Sequence, residues 1–108
     1  MTKGELWLVE IPPSNGYEQS GLRPVLVLSG IEANVVIIVP FTSNLNALRF
    51  PHTVEIVPSP ENGLNSTSVA LVFQIRAIDK KRLLRKIGKL DTDTLNQIDG
   101  MLKKILSL

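Results

Sequence analysis

The chain has 108 residues, 44% of them hydrophobic and 20% charged, with a formal net charge of +2. That size suits one domain around one core, and the composition is too apolar for a disordered chain. With no cysteine, disulfides and thiolate-ligated metals are excluded, and one histidine, His52, leaves little room for a histidine-rich metal site.

The N-terminus MTKGELWLVEI has no apolar h-region and no small-residue cleavage site. The longest apolar run, VVIIVPF, is far short of the ~20 residues of a membrane helix, so a cytoplasmic location is expected. Leu6, Leu8 and Glu10 alternate with Trp7, Val9 and Ile11, which predicts a first strand. Prolines 12 and 13 and Gly16 break it. The run VLVLS is aliphatic on both parities, as a strand buried on both faces would be. A compact connection over 30–34 leads to a third strand over 35–41, ended by the polar turn residues 42–46. A fourth strand is predicted over 53–57, closed by PSPENG, and a fifth over 68–75. Val69, Leu71 and Phe73 fall on one parity of that fifth strand.

The final third changes period. Asp79 is placed to cap a single turn, with a short strand returning over 85–90. Asp91 or Thr92 caps a helix, and Leu95, Ile98, Leu102 and Ile105 give it one apolar face. Gly100 costs that helix about 1 kcal/mol against alanine, which suggests a close packing contact there. Short punctuated strands followed by one amphipathic helix predict a mainly β fold, a small curled barrel with a C-terminal helix.

Charge is unevenly spread. Residues 1–75 carry three Lys or Arg against six glutamates, a balance of −3, while residues 76–108 carry nine against four aspartates, a balance of +5. The stretch DKKRLLRKIGKL holds most of the excess. It reads either as a solvated surface or as a patch that attracts a polyanion.

The loop GYEQSGLRP is where chemistry could reside. RNA carries its own nucleophile, the 2′-hydroxyl, so cleavage needs only a base, a proton donor for the leaving oxygen and positive charge on the phosphoryl oxygens. Glu18 can act as base, and Arg23 offers a planar fork suited to phosphate. Thr42 and Ser43 can add neutral hydrogen bonds, and Pro24 stiffens the root from which Arg23 projects. From spacing alone, the same pair also reads as an ordinary surface ion pair worth ~0–1 kcal/mol.

The segment GYEQSGLRPVLVLS resembles the signature of the MazF/PemK family, the toxins of bacterial toxin–antitoxin systems. VIIVPFTSN, FPHTVEI, SVALVFQIRAIDKKRL and the tail RKIGKLDTDTLNQIDGMLKKILSL are similar to further family segments, in order along nearly the whole chain. The resemblance implies an SH3-like small barrel of the CcdB/MazF type with a C-terminal helix, and a homodimer. It implies a toxin that is a metal-independent, sequence-specific endoribonuclease of single-stranded RNA, needing no cofactor. The products would be a 2′,3′-cyclic phosphate and a 5′-hydroxyl, and the outcome inhibited translation and growth. Glu18, Arg23 and Thr42 fall at the family's catalytic positions. Tyr17, Gln19, Ser43, Gln74, Arg76, Lys80 and Lys81 are the corresponding candidates for RNA binding. An acidic antitoxin segment is the implied second partner, with no membrane involved.

The chain departs from the family pattern at Phe73, which stands where a carboxylate is usual. Phe73 either packs in the core beside Val69 and Leu71, the favoured reading, or is exposed and stacks on an unpaired base. His52 and Trp7 read as turn and packing residues first, whereas Tyr17 is open between loop packing and base stacking. Two other functions are weighed: a CcdB-like poison of DNA gyrase, and a catalytically weakened member that only binds antitoxin, motivated by Phe73.

Overall fold

The computed structural model describes residues 2–11, 21–30 and 34–108, in which seven strands precede one α-helix. The strands are β1 (Glu5–Ile11), β2 (Gly21–Gly30), β3 (Val35–Thr42), β4 (Thr53–Ile56), β5 (Ser68–Leu71), β6 (Arg76–Asp79) and β7 (Leu83–Lys89), and the helix is α1 (Thr92–Ile105). All pairings are antiparallel, in the order β4-β5-β3-β2-β1-β7, with β6 also on β3. β3 therefore serves two sheets: residues 35–38 pair with β6, and residues 41 and 42 pair with β5.

The double-sided apolar run in β2 has a direct cause. Val25 and Val27 face a cluster with Val9, Val36, Ile38 and Leu83. Leu26 faces the other way, into a larger cluster with Leu6, Val39, Phe41 and Ile98 of α1. Both sides of the strand are buried, so neither parity carries polar residues. The helix closes the larger cluster, with Ile98 fully buried and Leu95, Met101, Leu102 and Ile105 packed beside it. Asp91 caps α1, its Oδ2 accepting from the Thr94 N–H and Oγ1 at 2.9 Å each. These bonds from Thr94 hold the Asp91 carboxyl below its usual range. The capping role of Asp79 is also as expected: its Oδ1 accepts from Lys81 N at 2.9 Å and starts a single 3-10 turn, Lys80–Arg82.

Three expectations are corrected. The predicted fifth strand ends at Leu71, where Val72 N turns to donate to the His52 carbonyl at 3.1 Å and a 3-10 turn, Val72–Gln74, begins. The chain then re-enters the sheet as β6, a strand not anticipated. That turn breaks the alternation, so Phe73 leaves the parity of Val69 and stands 39% exposed instead of joining the core. The polar residues 42–46 end β3 as expected and lead into a further 3-10 turn, Leu45–Arg49, capped by Asn44. Gly100 packs against none of the described residues: a β-carbon there would have none of them within 4 Å outside its own helix.

Glu5 is the one buried charged side chain among the described residues. Its carboxylate accepts from Thr2 Oγ1 at 2.7 Å and Trp7 Nε1 at 2.9 Å, with Lys86 Nζ at 3.4 Å. The Thr2 and Trp7 hydrogen bonds lead in lowering its pKa to about 2, and the Lys86 charge adds to them. Trp7 is thus a packing residue, half-buried against the smaller cluster and tethered at its indole nitrogen.

Candidate active site

The ends of β2 and β3 lie side by side, since Val25 pairs with Pro40. Arg23 lies near the start of β2 and Thr42 at the end of β3, just beyond that pair. Both residues line two clefts, together with Phe41 and Ser43, so they stand where the clefts meet. Phe41 is fully buried and anchors this junction to the larger core. Thr42 Oγ1 accepts from Asn44 N at 3.2 Å, which orients its hydroxyl at the strand end.

The smaller cleft, about 420 Å³, runs from this junction past Arg85 and Ile87 of β7 to Gly63, Asn65, Ser66 and Ser68. Its outer wall is the segment from Gly63 to Ser68 that leaves the PSPENG turn, and buried Asn62 holds that turn rigid. Asn62 Oδ1 accepts from Ser59 N and Leu64 N, and its Nδ2 donates to the Val57 carbonyl, all at 3.0 Å. Two guanidinium groups among several hydroxyl and amide side chains form a setting that can hold an anion.

The larger cleft, about 810 Å³, opens on the other side, between the 3-10 turns Leu45–Arg49 and Val72–Gln74. Its wall carries Arg49, Phe50, Phe73, Gln74 and Arg76. The Phe50 and Phe73 rings meet at 5.9 Å and 54°, and the Arg49 guanidinium lies 5.0 Å from the Phe50 ring centroid. Among its described lining residues, three are arginines and none is acidic.

Of the residues singled out from sequence, Arg23, Thr42, Ser43, Phe73, Gln74 and Arg76 therefore share one cleft. Glu18, Tyr17 and Gln19 lie outside the described residues. Lys80 and Lys81 are elsewhere: Lys80 N donates to the Asn34 carbonyl at 2.7 Å, just before β3 begins, whereas Thr42 ends it. At about 3.3 Å per residue, roughly 25 Å of strand separates the two ends. Lys81 lines a small hollow with Glu10, Arg82 and Leu84. His52 lines neither cleft; it holds a left-handed turn at φ 59°. Sequence reading missed Arg49 and Phe50, and it placed Arg85 only within the basic stretch DKKRLLRKIGKL. The dipeptide RF at 49–50 was a signal for a cation beside an aromatic group, but only the 3-10 turn aims it at the cleft.

The family described as PemK-like, MazF-like toxin of type II toxin–antitoxin system is matched over residues 2–106. The chain is 37% identical to the endoribonuclease MazF9 of Mycobacterium tuberculosis over 117 aligned residues, covering all of this chain and 98% of that protein. Two crystal structures from Deinococcus radiodurans share the fold along the whole of this chain. One, of MazF, has a TM-score of 0.77 at 27% identity with 97% of its chain covered. The other, of a MazE–MazF complex, has a TM-score of 0.76 at 26% identity with 96% covered.

Proposed function

The chain belongs to the PemK-like, MazF-like toxins of type II toxin–antitoxin systems, and we propose that it is an endoribonuclease that cuts single-stranded RNA without a metal. The observation that carries this is the meeting of Arg23 and Thr42 at the junction of two clefts whose described walls hold four arginines and no carboxylate. A chain of phosphodiesters crossing the junction would pass a cation at each step.

The reaction follows from what RNA supplies. The 2′-oxygen attacks the adjacent phosphorus, a P–O bond forms, and the bond to the 5′-oxygen breaks. Glu18 takes the proton from the 2′-hydroxyl, and the departing 5′-oxygen takes one from water, leaving a 2′,3′-cyclic phosphate and a 5′-hydroxyl. Arg23 neutralises the charge that builds on the phosphoryl oxygens, and the Thr42 hydroxyl, held by its bond from Asn44 N, adds a neutral contact. Cutting messenger RNA in this way would stop translation and growth.

The MazE–MazF structure similar to this chain supports an antitoxin as a protein partner here. The arginine-lined clefts favour an acidic segment of it. A homodimer is part of the same proposal, to be read from the solution mass.

The test is cleavage of a long defined RNA in excess EDTA, with end mapping. Cutting by the wild type, lost in Arg23→Ala, is expected; a folded wild type that leaves the RNA intact would refute the proposal. Because Phe73 and not a carboxylate lines the cleft, a weakened enzyme is the second reading. A gain of cleavage in Phe73→Asp would favour it.

A further inference from the structure

The larger cleft exposes more aromatic surface than packing requires. Phe50 and Phe73 are 44% and 39% exposed, yet their rings are in contact. Tilted pairs at about 4.5–7 Å between centroids are favourable, so the two rings hold each other in place. Arg49 lies over the Phe50 ring and sets a delocalised cation beside the pair.

The backbone under this surface is fixed from both sides. Phe50 N donates to the Ala47 carbonyl at 3.1 Å, and the Phe50 carbonyl accepts from Thr53 Oγ1 at 2.9 Å. Beside Phe73, Val72 N is bonded to the His52 carbonyl, so the two turns are tied to each other through β4 and β5. The rings are thus presented on a frame set before any ligand arrives, which limits the entropy lost on binding.

An exposed aromatic ring among guanidinium groups suits a ligand that is flat and anionic at once. A nucleobase with its phosphate is such a ligand, because the base offers a π-face and the phosphate meets Arg23, Arg49 or Arg76. Phenylalanine has no hydrogen-bonding group, so the platform selects by stacking area and not by base edge. A purine covers more of it than a pyrimidine does.

We propose that Phe73, supported by Phe50 and Arg49, is a specificity-determining platform on which an unpaired purine stacks beside the scissile phosphate. The proposal rests on the ribonuclease reading of Arg23 and Thr42 and adds a base preference to it. The preference is graded, since every base has a π-face.

The test uses a randomised single-stranded RNA pool with 2′-O-methyl groups, which binds but cannot be cut. The fraction bound by the full chain is sequenced for the wild type, Phe73→Ala and Phe73→Tyr, with thermal midpoints showing that each is folded. Purine enrichment at one position is expected in the wild type and in Phe73→Tyr. Phe73→Ala loses that enrichment and binds purine-containing sequences about tenfold more weakly. An unchanged profile in Phe73→Ala, or a wild type with no purine preference, overturns the platform. So does a Phe73→Ala variant that binds RNA normally but loses a glutamate-rich peptide, since the surface then serves a protein. A wild type that shows the enrichment yet leaves unmodified RNA intact overturns the nuclease reading and supports the platform.

Discussion

Gly63 and Ile87 meet backbone to backbone: a β-carbon on Gly63 would run into the Ile87 carbonyl oxygen. The contact is reciprocal, because a β-carbon on Gly88 would run into the backbone of Asn62 and Glu61. Lys89 N then donates to the Glu61 carbonyl at 2.9 Å and fastens the turn to β7. That fastening sets the wall of the smaller cleft, so these two glycines shape a site that they do not chemically serve.

Gly63→Ala and Gly88→Ala should each lower stability by about 2 kcal/mol or more, because backbone cannot yield as a flexible side chain can. Gly63 carries the added strain of φ 69°. Urea unfolding measures the loss; an unchanged midpoint would show that the turn can move away from β7.

Gly100→Ala should act in the opposite direction. The position is helical and exposed, with none of the described residues outside its own helix near an added β-carbon, so the substitution gains about 1 kcal/mol of helix propensity. A thermal midpoint higher by about 4–8 °C is expected for a domain of this size, and a lower one would contradict the open surroundings.

Stability should fall in acid through Glu5. Its pKa is lowered from 4.5 to about 2 in the folded chain, so the folded state binds the proton less readily than the unfolded one. The stabilisation is therefore complete above pH 4.5 and is lost as the pH drops towards about 2. Denaturant midpoints across that window should slope in the wild type and be flatter in Glu5→Gln. Equal slopes would assign the acid sensitivity to other carboxylates.

Arg76 and Arg85 lie in different clefts, so a strand crossing the junction of the two should touch both. Replacing either with alanine should reduce the slope of log affinity against log salt by about 0.7 for single-stranded RNA. Filter binding over a salt series measures this. A double variant with no more effect than one single variant would mean the strand follows only one cleft.

Much of the fold was legible because its causes are local. Alternation marked β1, proline and glycine marked the turns, and the spacing of Leu95, Ile98 and Leu102 marked α1. Asp79 and Asp91 announced their caps, since a short acidic side chain reaches only the next few backbone amides. The run over 68–75 misled for the complementary reason. Nothing within it shows that Val72 N bonds to His52, twenty residues away in sequence, and that single bond turns Phe73 out of the core. The site was legible to the same extent: Arg23, Thr42 and Phe73 were named and Arg85 fell within the basic stretch, while Arg49 and Phe50 were not singled out.

The sequence by itself determined the family, the strand-rich order ending in a helix, and the residue types available for phosphate chemistry, since motifs and periodicities are written residue by residue. Only the tertiary structure decided which of those residues share a surface. It set Arg23 and Thr42 on the same two clefts and brought Phe50 to Phe73 across two turns. It also carried Lys80 to the far end of β3 from the cleft. Register and turn geometry are set by contacts between distant segments, and proximity across a cleft is a property of those contacts.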